Sequence, residues 1–188
     1  TRHETGEPYL HFIDTSNKNL PESQKKLGLK VNQSNLCSEI TLPTDDDRTA
    51  VCCLSSVNLA QYDEWSTSAT FIPDMIRMLD NVLEHFIMAT YDFSYDYKGD
   101  ILNMKVKDDM SGFKKSGYSA YRERSIGLGA MGFHTYLQKL NVPFDSPIAT
   151  GQNIKIFKQI KELAVETSKE LAIERGEAPD MEGTGMRN

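Results

Sequence analysis

The sequence predicts one domain of the α/β class, in which strands come early and helices come late. Residues 50–60, AVCCLSSVNLA, have the composition of a strand, whereas from Phe71 onward apolar residues recur at helical spacing. A chain of 188 residues with 39% apolar residues is long enough to bury one core. We therefore expect residues 1–188 to form a single unit.

The first part of the chain carries three apolar segments separated by polar ones. Residues 8–14, PYLHFID, have strand length and aromatic content, and a polar stretch from Thr15 to Lys30 separates them from a second expected strand at residues 32–40. Residues 42–49, LPTDDDRT, indicate a loop, and a solvated turn is favoured over a metal site for its three aspartates. The third strand is expected within residues 50–60.

The second part of the chain is predicted to be mainly helical. A helix beginning at Phe71 would place these apolar residues on one face: Ile72, Met75, Ile76, Leu79, Leu83 and Phe86. Residues 91–118 are polar and show no sustained periodicity of apolar residues, so we expect a loop that includes a short helix. The glycine-rich segment 124–133, RSIGLGAMGF, suits a buried strand that leads into a helix containing Phe133, Tyr136 and Leu137.

The last predicted helix begins at Ser146 and Pro147, which form an N-cap and first-turn signal, and it ends near Gly176. This helix would carry these apolar residues: Ile156, Phe157, Ile160, Leu163, Ala164 and Leu171. The polar tail APDMEGTGMRN, residues 178–188, is expected to carry no element that ties it down, as in a chain cut from something longer.

Charge and cysteine content exclude several classes of function. The net charge of −6, from 21 basic and 27 acidic residues, argues against nucleic acid as a partner. Neither a membrane span nor a signal peptide is present in the sequence, so we expect a cytoplasmic protein with no membrane partner. The three cysteines form neither a disulfide framework nor a CxxC pair, and no bound metal is predicted.

The segment NQSNLCSEI, residues 32–40, is the strongest candidate for chemistry. In a strand, Asn35, Cys37 and Glu39 would share one face, opposite the side chains of Leu36, Ser38 and Ile40. Most cysteines in strands are structural, but this face carries an amide and a carboxylate that are costly to bury without partners. We therefore favour a polar pocket over a solvated face.

A Cys/His nucleophile pair is not favoured at this segment. The four histidines, His3, His11, His85 and His134, form no recognisable motif with Cys37. Proton transfer by Glu39 is the better explanation of the pattern.

Four segments together resemble the large (alpha) subunit of aerobic ribonucleotide reductase, in particular class I enzymes of the bacterial and phage kind. They are NLCSEI, VCCLSSVNL, RERSIGLGAMGFHTYLQ and ELAIERGEAPD. The resemblance implies an α/β barrel of ten strands, built from two halves of five. Residues 1–188 would be one segment of this catalytic barrel domain, incomplete relative to the family, without its effector region, its first redox cysteine, its later phosphate-contacting loops or its terminal tyrosine pair.

The resemblance also implies roles for the motif residues in the reduction of ribonucleoside diphosphates. Cys37 would become a transient thiyl radical that abstracts the ribose 3′-hydrogen. Glu39 would take the proton of the 3′-hydroxyl, and Asn35 would orient the sugar hydroxyls. Leu36 and Ser38 would contribute backbone contacts to the substrate.

A second cysteine is implied in the same reaction. Cys52 and Cys53 would point to opposite faces of a strand, and the family pattern of cysteine, one residue, leucine and serine selects Cys52 as the redox cysteine. With a partner cysteine absent from this chain, Cys52 would reduce the 2′ position, expel water and end as a disulfide. Leu54 would form an apolar wall on the same face as Cys52, and Cys53 would pack in the outer layer of the barrel.

The resemblance implies that this segment binds no cofactor of its own. A metal-containing small subunit would supply the radical, and thioredoxin or glutaredoxin would act as the external dithiol reductant. Two alternatives stay open. One is a cobalamin-dependent or glycyl-radical reductase with the same barrel, and the other is a non-catalytic split or truncated piece that acts only in assembly with complementary chains.

Overall fold

The computed structural model describes residues 2–51, 53–95 and 101–188 of the chain. The helices, numbered in chain order, are α1 Arg2–Thr5, α2 Ile13–Lys18, α3 Glu22–Lys26, α4 Tyr62–Trp65, α5 Phe71–Thr90, α6 Lys114–Glu123, α7 Phe133–Lys139 and α8 Pro147–Arg175. The strands are β1 Cys53–Asn58, β2 Tyr91–Tyr95, β3 Ile101–Val106 and β4 Ile126–Met131. Short 3-10 helices span Leu59–Gln61, Asp108–Phe113 and Pro179–Met181. The α/β class is therefore confirmed.

Strands β1 and β4 pair in parallel, with Cys53 opposite Ile126 and Asn58 opposite Met131. A parallel pair requires a crossover, and here the chain between the two strands supplies it through α5 and α6. One face of this pair packs on the helices, because Cys53 and Val57 are buried whereas Leu54 is exposed. The predicted strands at residues 50–60 and 124–133 are both confirmed.

The two long helices begin where their sequences predict, and α8 also ends near Gly176 as expected. Helix α5 carries Pro73 in its first turn, where the missing N–H costs nothing, and it buries these apolar residues: Ile72, Ile76, Leu79, Leu83 and Ile87. At the start of α8, the Ser146 hydroxyl accepts a hydrogen bond from the Ala149 N–H at 3.2 Å. Helix α8 ends before Gly176, whose φ of 85° lies in the left-handed region.

Helices α5, α7 and α8 enclose an aromatic core beside β1. The rings of Tyr62 and Trp65 meet edge to face with centroids 5.0 Å apart, and Tyr136 of α7 meets Tyr62 at 5.5 Å. Phe71 stacks on Trp65 at 5.1 Å. This packing fixes the short α4 and the start of α5 against the sheet.

The polar tail is tied down, contrary to the expectation from its composition. Asp80 of α5 is fully buried, and its carboxylate meets Arg124 at 2.9 Å, Arg175 at 2.7 Å and Arg187 at 3.4 Å. The Asn188 amide also donates to Asp80 at 2.9 Å. A buried carboxylate requires such partners, so long-range ion pairing helps to order this mainly polar segment.

Two local predictions were wrong. Residues 8–12 form no strand, and α2 begins at Ile13, because the short apolar run has no strand partner in the described chain and the polar residues that follow it close helical turns. Strands β2 and β3 pair as an antiparallel hairpin, so Tyr91–Tyr95 and Ile101–Val106 are not the loop that was expected. Tyr91, Phe93 and Tyr95 alternate with polar residues, a strand pattern that the expectation of a loop overlooked.

Candidate functional site

The segment around Cys37 is a turn at the tip of a loop, so the prediction of a strand at residues 32–40 was wrong. The Ser38 N–H donates to the Asn35 carbonyl at 3.0 Å, which closes a β-turn over Leu36 and Cys37. Ser38 has a φ of 65°, a left-handed conformation that a strand does not contain. The alternation of side chains between two faces therefore does not apply to this segment.

The turn nevertheless brings together the two polar residues that flank Cys37. The Asn35 amide nitrogen donates to Glu39 Oε1 at 2.5 Å. The amide oxygen of the same side chain accepts the Ile40 N–H at 3.1 Å. Asn35 is thus held on both sides, and its amide nitrogen holds the Glu39 carboxylate.

The motif side chains are accessible rather than enclosed. Cys37, Asn35 and Glu39 are exposed, Ser38 is half-buried, and Leu36 is 90% exposed. Within residues 2–51, 53–95 and 101–188, no wall covers this turn, so the enclosed polar pocket expected from the sequence is not formed by the described residues. The arrangement offers a free thiol beside a carboxylate and an amide to any group that approaches the tip.

The loop that carries the turn is closed at its base by main-chain and side-chain hydrogen bonds. The Thr44 N–H donates to the Lys30 carbonyl at 3.1 Å, and the Asn32 amide donates to the Thr44 carbonyl at 2.5 Å. Two further residues, Asn17 and Ser34, also bond to the loop backbone, and sequence reasoning missed both. Asn and Ser commonly bond to backbone groups, but nothing local in the sequence reveals which group they reach.

The second cysteine segment is partly described. Cys52 lies outside the described residues. Cys53 is buried between β1 and the helices, where its thiol donates to the Leu79 carbonyl at 3.4 Å, and burial raises its pKa. The expectation that Cys53 packs as a small apolar residue is confirmed. Leu54 projects from the opposite face and is 54% exposed.

A buried ion cluster anchors the segment between the loop and β1. Arg48 contacts Asp180 at 2.5 Å and Glu123 at 3.3 Å, and Arg122 contacts Asp180 at 2.6 Å. Burial raises the pKa of Glu123 to about 7, since it outweighs the attraction of Arg48. The Arg48 guanidinium also lies 5.5 Å from the centroid of the Tyr118 ring. This cluster joins the segment that precedes β1 to α6 and to the tail.

No group of three or more His, Cys, Asp or Glu side chains in the described ranges is arranged to hold a metal ion. No described helix combines the length and the apolar content needed to cross a membrane.

Known proteins similar to this chain belong to one enzyme family. The family model described as ribonucleotide reductase, barrel domain, matches residues 1–188. The ribonucleoside-diphosphate reductase large subunit of Invertebrate iridescent virus 3 is 49% identical over 187 residues, which is 100% of this chain and 27% of that relative. The alpha subunit of the Chlamydia muridarum enzyme is 34% identical over 187 residues, with 96% of this chain and 15% of that relative covered.

A solved structure agrees with these relatives. The class Id ribonucleotide reductase alpha subunit of Actinobacillus ureae superposes on the whole chain with a TM-score of 0.84 at 37% sequence identity, and 32% of that subunit is covered. The chain therefore spans less than a third of the length of the proteins that it matches. Since the family model matches every residue from the first to the last, this chain belongs to the ribonucleotide reductase barrel-domain family.

Proposed function

We propose that this chain supplies the radical-bearing turn for the reduction of ribonucleoside diphosphates to deoxyribonucleoside diphosphates. In this proposal Cys37 is a transient thiyl radical that takes the ribose 3′-hydrogen, so that an S–H bond forms as the C–H bond breaks. Glu39 accepts the proton of the 3′-hydroxyl, and Asn35 orients the sugar hydroxyls. The family match and the names of the relatives support the reaction class.

The hydrogen bond of 2.5 Å between Asn35 and Glu39 is the observation that carries the proposal. A general base must lie within hydrogen-bond reach of the proton that it removes, and it must be oriented before the substrate arrives. The Asn35 amide holds the Glu39 carboxylate, which is two residues from the exposed Cys37, and this supports a base and a radical site in one turn.

The remaining motif residues are proposed to shape the substrate site. Leu36 and Ser38 contribute backbone contacts, and Leu54 forms an apolar wall. Cys52 is the redox cysteine, which reduces the 2′ position together with a second cysteine from the remainder of the large subunit. Water leaves, and the two thiols end as a disulfide.

The activity is proposed to belong to an assembly. The chain spans 27% of one viral large subunit and 30% of another, from Frog virus 3, so we propose the remainder of a large subunit as its first partner. A metal-containing small subunit supplies the radical, and thioredoxin or glutaredoxin reduces the disulfide after each turnover. In the absence of these partners, the chain is expected to form no deoxynucleotide.

The test uses the complemented enzyme, by which we mean this chain joined to the remainder of a large subunit and mixed with a radical-generating small subunit. Cys37→Ser should abolish turnover and leave substrate affinity within a few fold, because a hydroxyl has nearly the size of a thiol but forms no comparable radical. Glu39→Gln should also be inactive. Cys53→Ala, the matched control, should retain turnover.

Three results would contradict the proposal in different ways. Near-normal turnover in Cys37→Ser would remove the radical role of this cysteine. Turnover that depends on added cobalamin and not on a small subunit would instead assign the chain to the cobalamin-dependent alternative. Deoxynucleotide formation by the chain alone would show that no complementary segment is needed.

A further inference from the structure

The position of the Cys37 turn depends on side chains, because no strand pairing fixes it. Residues 30–44 run out to the turn and back, and neither arm is a strand in the described part of the chain. In a β-hairpin, a ladder of backbone hydrogen bonds would fix the two arms. Here the Thr44 and Lys30 backbone groups bond only at the base, about seven residues from Cys37. Other groups must hold the arms above that point.

Asn17 takes the place of a neighbouring strand on the outgoing arm. Its amide oxygen accepts the Val31 N–H at 2.9 Å, and its amide nitrogen donates to the Val31 carbonyl at 2.8 Å. The same nitrogen donates to the Ile13 carbonyl at 3.0 Å, which ties the side chain to its own helix α2. Val31 is 1% exposed. One side chain therefore satisfies both backbone groups of a buried residue at the start of the loop.

Ser34 joins the two arms directly below the turn. Its hydroxyl donates to the Ile40 carbonyl at 2.6 Å, and the same oxygen lies 3.2 Å from the amide oxygen of Asn35. Ile40 is the residue whose N–H bonds to Asn35. The Ser34 hydroxyl thus holds the backbone of Ile40, which in turn orients the Asn35 side chain. Asn35 then holds the Glu39 carboxylate.

We propose that Asn17 and Ser34 are positioning residues for the Cys37 turn. Asn17 sets where the outgoing arm leaves the body of the protein, and Ser34 sets the separation of the arms next to the Asn35 and Glu39 pair. This inference rests on the proposed function, since it gives these residues a part in that reaction. Neither residue contacts the substrate in this proposal, so their substitution should change turnover more than substrate affinity.

The first experiment compares Ser34→Ala, Ser34→Thr and the exposed neighbour Gln33→Ala in the complemented enzyme. Amide hydrogen exchange is followed at Ser38 and Ile40, together with kcat and KM. In Ser34→Ala we expect exchange at Ile40 to be faster by about tenfold or more and kcat to fall by a similar factor, with KM within about threefold. Ser34→Thr, which retains the hydroxyl, should restore both quantities, and Gln33→Ala should leave them unchanged.

The second experiment compares Asn17→Ala with Asn19→Ala. Asn19 is a matched control, because it lies at the end of the same helix and its amide donates only to the nearby Thr15 carbonyl at 2.8 Å. Asn17→Ala should accelerate exchange at Val31 and lower kcat. Asn19→Ala should leave both unchanged.

The outcomes separate this inference from the proposed function. Unchanged exchange at Ile40 and unchanged kcat in Ser34→Ala would overturn the positioning role, whereas the proposed function would then still be decided by Cys37→Ser. A loss of kcat without faster exchange would also overturn it. Faster exchange in β1 as well as in the loop would show that the residues support the whole fold, and that result too would reject a specific positioning role.

Discussion

Helix α6 passes so close to the end of α5 that a β-carbon at Gly117 would lie 2.6 Å from Cγ2 of Thr90. The same β-carbon would lie 2.6 Å from the Tyr91 ring. Thr90 and Tyr91 are both buried, so neither can move aside without disturbing the packing of the hairpin on the helices.

Gly117→Ala should therefore destabilise the chain, whereas the same change at another helical glycine should stabilise it. We expect Gly117→Ala to lower the free energy of unfolding by about 1–3 kcal/mol through overpacking. Gly151 of α8 faces open space, so Gly151→Ala should raise that free energy by about 0.5–1 kcal/mol through helix propensity. Urea denaturation of the two variants decides the matter, and equal stabilities would show that α6 is not packed this closely.

The Glu123 carboxyl makes stability depend on pH near neutrality. Its pKa is raised from 4.5 to about 7 in the folded chain, so the folded chain binds this proton more tightly than the unfolded chain. The stability that the group contributes is fully present below pH 4.5 and is lost as the pH rises through 7. Between pH 5 and 8, the free energy of unfolding of the unsubstituted chain should fall by up to about 3 kcal/mol relative to that of Glu123→Gln.

The control for this prediction is an exposed glutamate of α8. Glu162 is 65% exposed and lies 3.8 Å from Lys158, so Glu162→Gln should leave the pH dependence of unfolding as it is in the unsubstituted chain. Thermal unfolding measured across this pH range for the three chains gives the comparison. If the unfolding temperatures of the unsubstituted chain and of Glu123→Gln changed with pH in the same way, Glu123 would titrate near its ordinary pKa.

Cys37 and Cys53 should differ in their reaction with an alkylating agent. Cys37 is exposed, whereas Cys53 is 8% exposed and burial raises its pKa, which lowers its thiolate fraction. In a Cys52→Ser background, Cys37 should be alkylated at least about tenfold faster than Cys53 at pH 8, and the difference should vanish in denaturant. Peptide mass mapping over time measures both rates, and faster labelling of Cys53 in the folded chain would contradict its burial.

The adjacent residues Cys52 and Cys53 should differ in their effect on disulfide formation when the complemented enzyme performs a single turnover without reductant. Cys52→Ser should eliminate the disulfide that forms, because the proposed redox thiol is gone. Cys53→Ala should preserve it, at a stability cost of about 1 kcal/mol for a small buried truncation. Thiol alkylation followed by mass mapping identifies the oxidised residue. Oxidation of Cys53 in place of Cys52 would reverse the roles proposed for these two residues.

The sequence predicted those elements whose signal is local. Helix α5 was found through the spacing of its apolar residues, and α8 was found through Ser146, Pro147 and Gly176. The hairpin was missed although Tyr91, Phe93 and Tyr95 alternate with polar residues, because the alternation is short and lies in a mainly polar stretch. Contacts such as those of Arg48 with Asp180, across 132 residues, cannot be inferred from local patterns.

At the candidate site, Asn35 and Glu39 are associated as the sequence suggested, although the strand predicted for them was wrong. Asn35 and Glu39 were expected on one side of Cys37 because they alternate in a strand, but a turn brings them together instead. In a strand, the α-carbons of residues four apart lie about 13 Å from each other, so the hydrogen bond between Asn35 and Glu39 forms only because the chain turns. Ser38, whose φ is 65°, follows the two central residues of the turn, and a serine carries no signal for that conformation.

The ion cluster around Asp80 has a consequence for the synthesis of the chain. Asp80 lies in the middle of α5, but Arg175, Arg187 and Asn188, which bind its carboxylate, are translated about a hundred residues later. Burial of an unpaired carboxylate is costly, so the nascent chain cannot close its interior over Asp80 when α5 first leaves the ribosome. Arg124 can pair with Asp80 earlier, but the full set of partners is complete only after Arg187 and Asn188 have emerged.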